Sequence, residues 1–450
     1  MLMPAMNATA VSVALPSISL DLQFSGNSLA WVITAYLATY GAFLLLGGGF
    51  GDLFGRRRLF LLGISCFAVA SIGCGLATSL GALLAGRLLQ GLGAAIVVAV
   101  VLSQIMILFN NSPQRGRALG VYFLVGAGGG AIGLFLGGFL TTVLGWEGVF
   151  FANVPIGVVA YVTGIALLPP DVQETRHGRI DIAGALAVSS SLIVALYAIL
   201  DASRAGWISG QTLGLLVAAG LLVTLFARIE ARASAPLMPM QLFKIRNFSI
   251  VVIAAALLAA ALLACSFISA LYLQIVLGSS PYEVGLALLP TNLTMAAMSL
   301  LILPSLVVRF GSRLPLLTGM VLVTLGLALL GRARIGGTVI VDVLPGMLLV
   351  GIGAGMANPP IYTTAFRDVP PSSFGAASGI LNTACVMGAA LGLSVVASIA
   401  AIRTNTLLVA GATPTSALHG GYRAGFYVSA GFTILASLMS GMLLHDRKQL

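Results

Sequence analysis

The sequence predicts an all-α, polytopic membrane protein built from fourteen spanning helices. Three observations carry that expectation. First, 59% of the residues are hydrophobic and only 8% are charged, where a water-soluble chain carries about a quarter charged residues. Second, apolar runs recur along the whole length, each near the roughly 20 residues that a helix needs to cross a bilayer. Third, most of the charges fall in short breaks between these runs, and most of them are basic, giving a net charge of +10.

The elements follow in order. Residues 1–20 form the first span, because no basic segment precedes the apolar run as it would in a cleaved signal peptide. The second, 28–48, ends in the Gly-rich, charged break Gly48–Arg58, and the third, 58–77, follows at once. The fourth, 82–106, encloses Arg87, the one formal charge placed well inside a span. The fifth, 118–141, is glycine-rich, and the sixth, 147–168, contains Pro155 and Gly157. Two more, 181–201 and 211–229, precede the six that close the chain at 248–277, 282–307, 314–332, 340–363, 375–401 and 425–444.

An even number of spans puts both termini on one side. That side collects sixteen Lys and Arg residues against five on the other, so the positive-inside bias makes both termini cytoplasmic. The same bias accounts for the positive charge better than nucleic-acid binding does, since the basic residues fall singly or in short loops. The four cysteines lie in apolar segments without metal-ligand spacing, and the three histidines, His177, His419 and His445, fall in loops or the tail. No catalytic constellation, metal cluster or phosphate-binding glycine loop emerges. The chain is therefore read as no enzyme, with no cofactor and no nucleic-acid partner.

An internal repeat divides the chain. LFGRR at 53–57 returns as RFGSR at 309–313, an offset of 256, and Gly116, Gly120, Gly129 and Gly133 return as Gly375, Gly379, Gly388 and Gly392, an offset of 259. Residues 1–168 and 247–450 are then six-helix bundles, with 169–246 an inserted pair of spans and their flanking loops. Parallel repeats of this kind build a class of transporter that rocks about a central site.

Several residues carry candidate chemistry. In the Gly48–Arg58 loop, Asp52 ends the second span and Gly55 lets the backbone turn before Arg56. A carboxylate at a helix end can pair with a guanidinium in one packing and lose it in another; the alternative is a solvated loop. Arg87 is costly in a bilayer, about 2.5–3.5 kcal/mol at a helix centre, and such a residue faces a cavity or partner, unless it snorkels to the surface. Gln90 shares its helical face. Asn7 and Thr9 offer hydrogen bonds in the first span. Gly126, Gly130, Gly133 and Gly137 let another helix approach the fifth span closely. None of the twelve acids lies near the middle of a span.

Five stretches together resemble a known family: MNATAVSVALP at 6–16, GGFGDLFGRRR at 48–58, RLLQGLGAA at 87–95, GAIGLFLGG at 130–138 and LGWEGVFFANVPIG at 144–157. In these the chain is similar to the major facilitator superfamily, and within it to the fourteen-helix drug:proton antiporter branch. The resemblance implies a secondary active transporter in the cytoplasmic membrane, a monomer in the lipid bilayer. It would export small hydrophobic or cationic drugs or antibiotics by proton antiport, with substrate held near the bilayer midplane between the bundles.

The same resemblance implies that Asp52, Gly55 and Arg56 gate the cytoplasmic face, and that Asn7, Arg87 and Gln90 border the substrate cavity or take part in coupling. The chain departs from the family pattern at four places. Leu53 stands where a basic residue is usual, Leu134 where a proline is, Asn7 where an aspartate is, and Glu147 where an arginine is common. Asn7 cannot carry a proton, which leaves Asp21 and Glu147 as the candidate proton sites. It also leaves open a facilitator, a differently coupled exporter, or a non-transporting receptor or scaffold.

Overall fold

In a computed structural model, which describes residues 2–24, 28–108, 112–171, 182–232, 240–370 and 373–443, the chain is helical with no strand among those residues. Among the described residues, eleven helices are long and apolar enough to cross a membrane. Three further apolar stretches, Leu29–Leu44, Gly128–Leu144 and Leu186–Ala202, are shorter and lie within helices of 26, 33 and 24 residues. With no water in the hydrocarbon to take a backbone N–H or C=O, a helix satisfies those groups within itself.

Two compact units form. The first comprises Met1–Ala198 with Trp207–Pro239, and the second Ile199–Gly206 with Met240–Leu450. In the first unit the helices are α1 (Leu2–Asp21), α2 (Leu29–Phe54), α3 (Arg56–Gly75), α4 (Leu80–Leu108), α5 (Ser112–Leu144), α6 (Glu147–Phe151) and α7 (Asn153–Leu167). They are followed by α8 (Ile182–Ala205) and α9 (Gly210–Glu230), the pair that the sequence reads as inserted. This pair packs on the first unit: Ser189 Oγ donates to the Ala42 carbonyl of α2, Tyr197 meets Trp31, and Ser191 Oγ on α8 donates to Ala219 on α9.

The second unit holds α10 (Arg246–Leu271), α11 (Pro281–Ala297), α12 (Leu303–Phe310), α13 (Arg313–Leu330), α14 (Leu344–Arg367), α15 (Phe374–Val409) and α16 (Pro414–Leu443). Wider π-helical turns end one of its spans at Tyr272–Val276, interrupt a second at Met298–Ile302 and open a third at Val339–Val343.

Close glycine contacts show how far the two units repeat one another. A methyl group on Gly93 of α4 would lie 2.8 Å from the Gly63 carbonyl and the Phe67 nitrogen of α3. On Gly353 of α14 it would lie 2.5 Å from the Gly319 carbonyl and 2.7 Å from the Val323 nitrogen of α13. Gly86 packs on Cys74 and Ala70, and Gly346 on Leu330 and Gly326. Gly91 of α4 admits Thr39 Oγ1, and Gly351 of α14 admits Thr294 Oγ1. The offset of 256 seen in the loop motif thus extends through helix α3, and the contact partners keep step with it. Lipid offers no hydrophobic drive between helices, so backbone approach over small residues supplies the attraction.

Two sequence expectations need correction. The last helix begins at Pro414, eleven residues before the expected start at 425, so His419 and Arg423 lie in a helix rather than a loop. Both are accommodated because they spend their polarity on the frayed end of α13. His419 Nε2 bonds the Ala333 carbonyl at 2.7 Å and Arg423 Nε donates to Gly331 O at 2.9 Å, where a helix leaves carbonyls unsatisfied. Likewise α15 continues to Val409 and takes in Arg403, beyond the expected end at 401. Arg87 is therefore not alone among charges within the long helices.

Candidate functional site

Arg87 lies in α4 with no exposed surface, and so does Gln90 one turn on. The i, i+3 spacing puts both side chains on one face, and Arg87 Nη1 donates to Gln90 Oε1 at 2.8 Å. Gln90 Nε2 in turn donates to Ser71 Oγ at 2.6 Å, and Ser71 donates to the Phe67 carbonyl, which carries the chain of bonds into α3. Arg87 Nε reaches the Val32 carbonyl of α2 at 2.8 Å. The guanidinium also stacks 4.5 Å from the Tyr36 ring and 6.0 Å from the Phe150 ring. A buried cation is held here by neutral dipoles and π faces. Arg87 Nη2 and the Tyr36 hydroxyl have no partner among the described residues.

The second unit lacks this network. At the repeat-related positions of α14, three and six residues past its first residue, stand Met347 and Val350; on α13, Leu327 and Leu330 replace Ser71 and Cys74. The charged part of the network is thus not repeated at these positions, although the helices that frame it are duplicated.

Asn7 is fully buried on α1 and meets Asn153 of α7, whose Nδ2 donates to Asn7 Oδ1 at 3.5 Å and to the Val149 and Phe150 carbonyls at 3.3 Å. Asn7 Nδ2 has no partner among the described residues. Phe150 thus bridges the two clusters, its ring over Arg87 and its carbonyl on Asn153. The glycines of α5 fit the α1 side of this interior. Gly133 admits Thr9 Oγ1 and Met6 O, Gly137 admits Ala10, and the Gly130 carbonyl accepts from Thr9 Oγ1 at 3.0 Å. Gly126 is half-exposed on the same helix, and Gly129, which abuts Leu2 and Ala5, completes the stripe.

Asp21 ends α1 and accepts a hydrogen bond from Trp146 Nε1 at 3.0 Å. Glu147 opens α6 in the same turn, with its carboxylate folded toward Gly145. The two acids thus gather at one end of the first unit, away from the Arg87 network. Each acts locally, Asp21 by receiving the indole and Glu147 by complementing a helix N-terminus. Sequence reasoning passed over Glu230, which is buried at the end of α9.

The Gly48–Arg58 stretch is not the open loop expected from sequence: α2 continues to Phe54, past the expected end at 48, and α3 begins at Arg56, so the chain turns at Gly55 alone, where φ is +88°, a left-handed value that favours glycine. Asp171, from the segment after α7, fills the space beside it. Its carboxylate accepts from the backbone nitrogens of Arg57 at 2.9 Å and Arg58 at 3.1 Å, which satisfies the first turn of α3 and complements its dipole. Arg57 Nη2 donates to the Ile165 carbonyl at the end of α7, and Arg313 Nη2 does the same to the Gly441 carbonyl in α16. The arginine is thus spent twice in the same way, tying α3 to α7 in the first unit and α13 to α16 in the second. Arg56 opens α3; the Asp52 side chain lies outside the described residues. Nothing in the sequence marked Asp171, because its partner is backbone more than a hundred residues away.

At the other end of the second unit, Arg334 pairs with Asp342 at 2.9 Å, and that carboxylate holds the guanidinium above its ordinary range. Tyr272 donates to the Arg334 carbonyl at 2.8 Å.

Comparison with known proteins agrees with this architecture. The profile of the Major Facilitator Superfamily matches residues 1–393. The chain is 34% identical over its full length to the puromycin resistance protein pur8 of Streptomyces alboniger, of which it covers 90%. It is 32% identical to the multidrug resistance protein Stp of Mycobacterium tuberculosis, over 88% of this chain and 73% of that one. To the cephamycin export protein CmcT of Amycolatopsis lactamdurans it is 33% identical over 87% of this chain and 81% of that one. Among solved structures, a bacterial homologue of the human lysosomal transporter Spinster matches all of this chain and 96% of its own, at 17% identity and a TM-score of 0.69. The xylose transporter XylE from E. coli matches with 13% identity and a TM-score of 0.62, over 100% of this chain and 96% of its own. With a helical, multi-span fold, a duplicated helix scaffold and a family profile running through 393 of its residues, the chain belongs to the Major Facilitator Superfamily.

Proposed function

We propose that the protein is a secondary active exporter of small, largely apolar drugs or antibiotics, working by alternating access in a bacterial cytoplasmic membrane with both termini in the cytoplasm. The relatives named for puromycin resistance, multidrug resistance and cephamycin export support the direction and the class of cargo. The fourteen-span reading and the sixteen-to-five distribution of basic residues support the orientation.

The observation that carries the proposal is the Arg87 network. A charge sealed inside a helical unit with one nitrogen unsatisfied is costly for a static scaffold. It becomes useful when another packing of α2, α3 and α4 supplies a partner. In this reading Arg87 and Gln90 switch partners during the cycle, Asn7 contributes hydrogen bonds, and Asp52, Gly55 and Arg56 gate the cytoplasmic side. Proton antiport would use Asp21 or Glu147. A second reading, export or facilitation without a proton, is favoured by the amide of Asn7 in the buried interior of the first unit.

Resistance tests the function. In an efflux-deficient host, expression of the chain is expected to raise the tolerated concentration of puromycin or of at least one other compound in a panel of antibiotics and lipophilic cations. Arg87→Ala, expressed at the same level, is expected to abolish that gain. No change with any compound overturns the exporter reading.

A further inference from the structure

The second unit carries an uncharged hydrogen-bonding face where the C-terminal part of α14 meets the N-terminal part of α15. Asn358, Tyr362 and Phe366 recur every four residues along α14, and Ser378 and Asn382 do so on α15, so each set lies on one side of its helix. Tyr362 Oη donates to Asn382 Oδ1 at 3.5 Å, and Asn382 Nδ2 donates to Ser378 Oγ at 3.4 Å. Asn358 Nδ2 makes a long contact with the Met295 thioether, 3.9 Å away on α11. These are bonds at the limit of hydrogen-bonding distance, and all five side chains are half-buried.

Their depth makes the arrangement informative. Asn358 stands nine residues before the end of α14 and Asn382 eight after the start of α15, about 12–14 Å along each helix at 1.5 Å per residue. Amides at that depth are expensive against lipid, so their open sides face something polar.

A second observation points to the same place. Pro359 and Pro360 sit inside α14 directly after Asn358. Pro359 has no N–H for the carbonyl of Gly355, and Ser299 Oγ, in the π turn between α11 and α12, donates to that carbonyl instead at 3.0 Å. Proline within a spanning helix, with the freed carbonyl satisfied by a neighbour, is a pointer to binding sites in transporters.

We infer that Asn358, Tyr362 and Asn382 form the face of the second unit that binds cargo, and that this face selects neutral aromatic compounds bearing amide, carbonyl or hydroxyl groups. The inference rests on the exporter reading for its physiological meaning. The chemistry follows from the stripe itself: it holds no formal charge, it offers amide donors and acceptors whose present bonds are weak, and Phe366 with the Met295 thioether supplies a polarisable apolar wall.

Binding to the purified full-length chain in lipid nanodiscs tests it, by equilibrium dialysis with two probes. Chloramphenicol is neutral and aromatic with amide and hydroxyl groups; ethidium is a permanent aromatic cation. Asn382→Leu is expected to weaken chloramphenicol binding about tenfold, the worth of one or two hydrogen bonds, and to leave ethidium binding within about twofold. Tyr362→Phe removes one oxygen, so it keeps the test open if the leucine variant fails to fold; about a threefold loss is expected. Unchanged chloramphenicol binding in both variants overturns the assignment. So does equal loss of both probes, or failure of the unaltered chain to bind chloramphenicol. Each of these outcomes leaves the exporter reading standing if the resistance phenotype persists; a chain that confers no resistance loses that reading instead.

Discussion

Gln90→Leu and the double change Arg87→Met with Gln90→Val separate what the buried network does for stability from what it does for transport. Leucine at 90 removes the acceptor 2.8 Å from Arg87 Nη1 and the donor 2.6 Å from Ser71. Arg87 would then keep the Val32 carbonyl and the two aromatic rings, with Nη1 unpaired beside an Nη2 that already lacks a partner. A hydrogen bond to a charged group contributes about 1.5–3 kcal/mol, and stripping a partner from a buried charge costs at least that much. For a unit of this size each kcal/mol moves the melting midpoint by about 2–4 °C, so Gln90→Leu is expected to lower it by about 3–12 °C. The double change copies the Met347 and Val350 of the second unit. It removes the charge together with its partner, an exchange that is neutral or stabilising by about 1–4 kcal/mol in buried ion sites. Its midpoint should therefore match or exceed that of the parent while transport is lost. Melting followed in detergent by a thiol-reactive dye reads both. A double variant that melts below Gln90→Leu, or one that melts normally and still confers resistance, would refute the reasoning.

Three further outcomes follow from the same geometry. Gly93→Ala and Gly353→Ala both drive a methyl group to within 2.8 Å of facing backbone; each should lower the melting midpoint, whereas Gly220→Ala, with nothing within 4 Å, should leave it unchanged or raise it by about 0.4–1 kcal/mol equivalent. Asp171→Ala removes the acceptor of two N–H groups at the start of α3 and should cost about 0.5–2 kcal/mol in thermal or denaturant melts; a change below that range would show that water replaces the carboxylate. Single cysteines at Arg58 and Ser312 should both react with an impermeant maleimide only when the cytoplasmic face is open to it, and labelling from opposite faces would contradict the repeat and the orientation together.

Much of the fold could be read from the residues because lipid imposes a simple rule. Spans had to be apolar for about 20 residues, so most helix ends could be placed within a few positions by charges, glycines and prolines. The rule failed at α16, where His419 and Arg423 look like loop residues until the carbonyls they cap are seen. It also gave no sign of the π turns, which widen a helix without changing its composition. Of the candidate site, the Arg87–Gln90 pair was legible because i, i+3 spacing is local. Ser71, Tyr36, Val32 and Asn153 were not, since they arrive from other helices. Asp171 shows the same limit, as a carboxylate whose work is done on distant backbone leaves no pattern in sequence.

Transport by the purified chain tests the central claim most directly. The protein is reconstituted into liposomes, the compound to which it confers resistance is supplied outside at low concentration, and the interior is made acidic. Vesicles whose protein is oriented to take up cargo in exchange for lumenal protons should accumulate the compound above its outside concentration, and dissipating the gradient should release it. Accumulation that persists without the gradient would contradict proton antiport, and entry no faster than into protein-free vesicles would contradict transport itself.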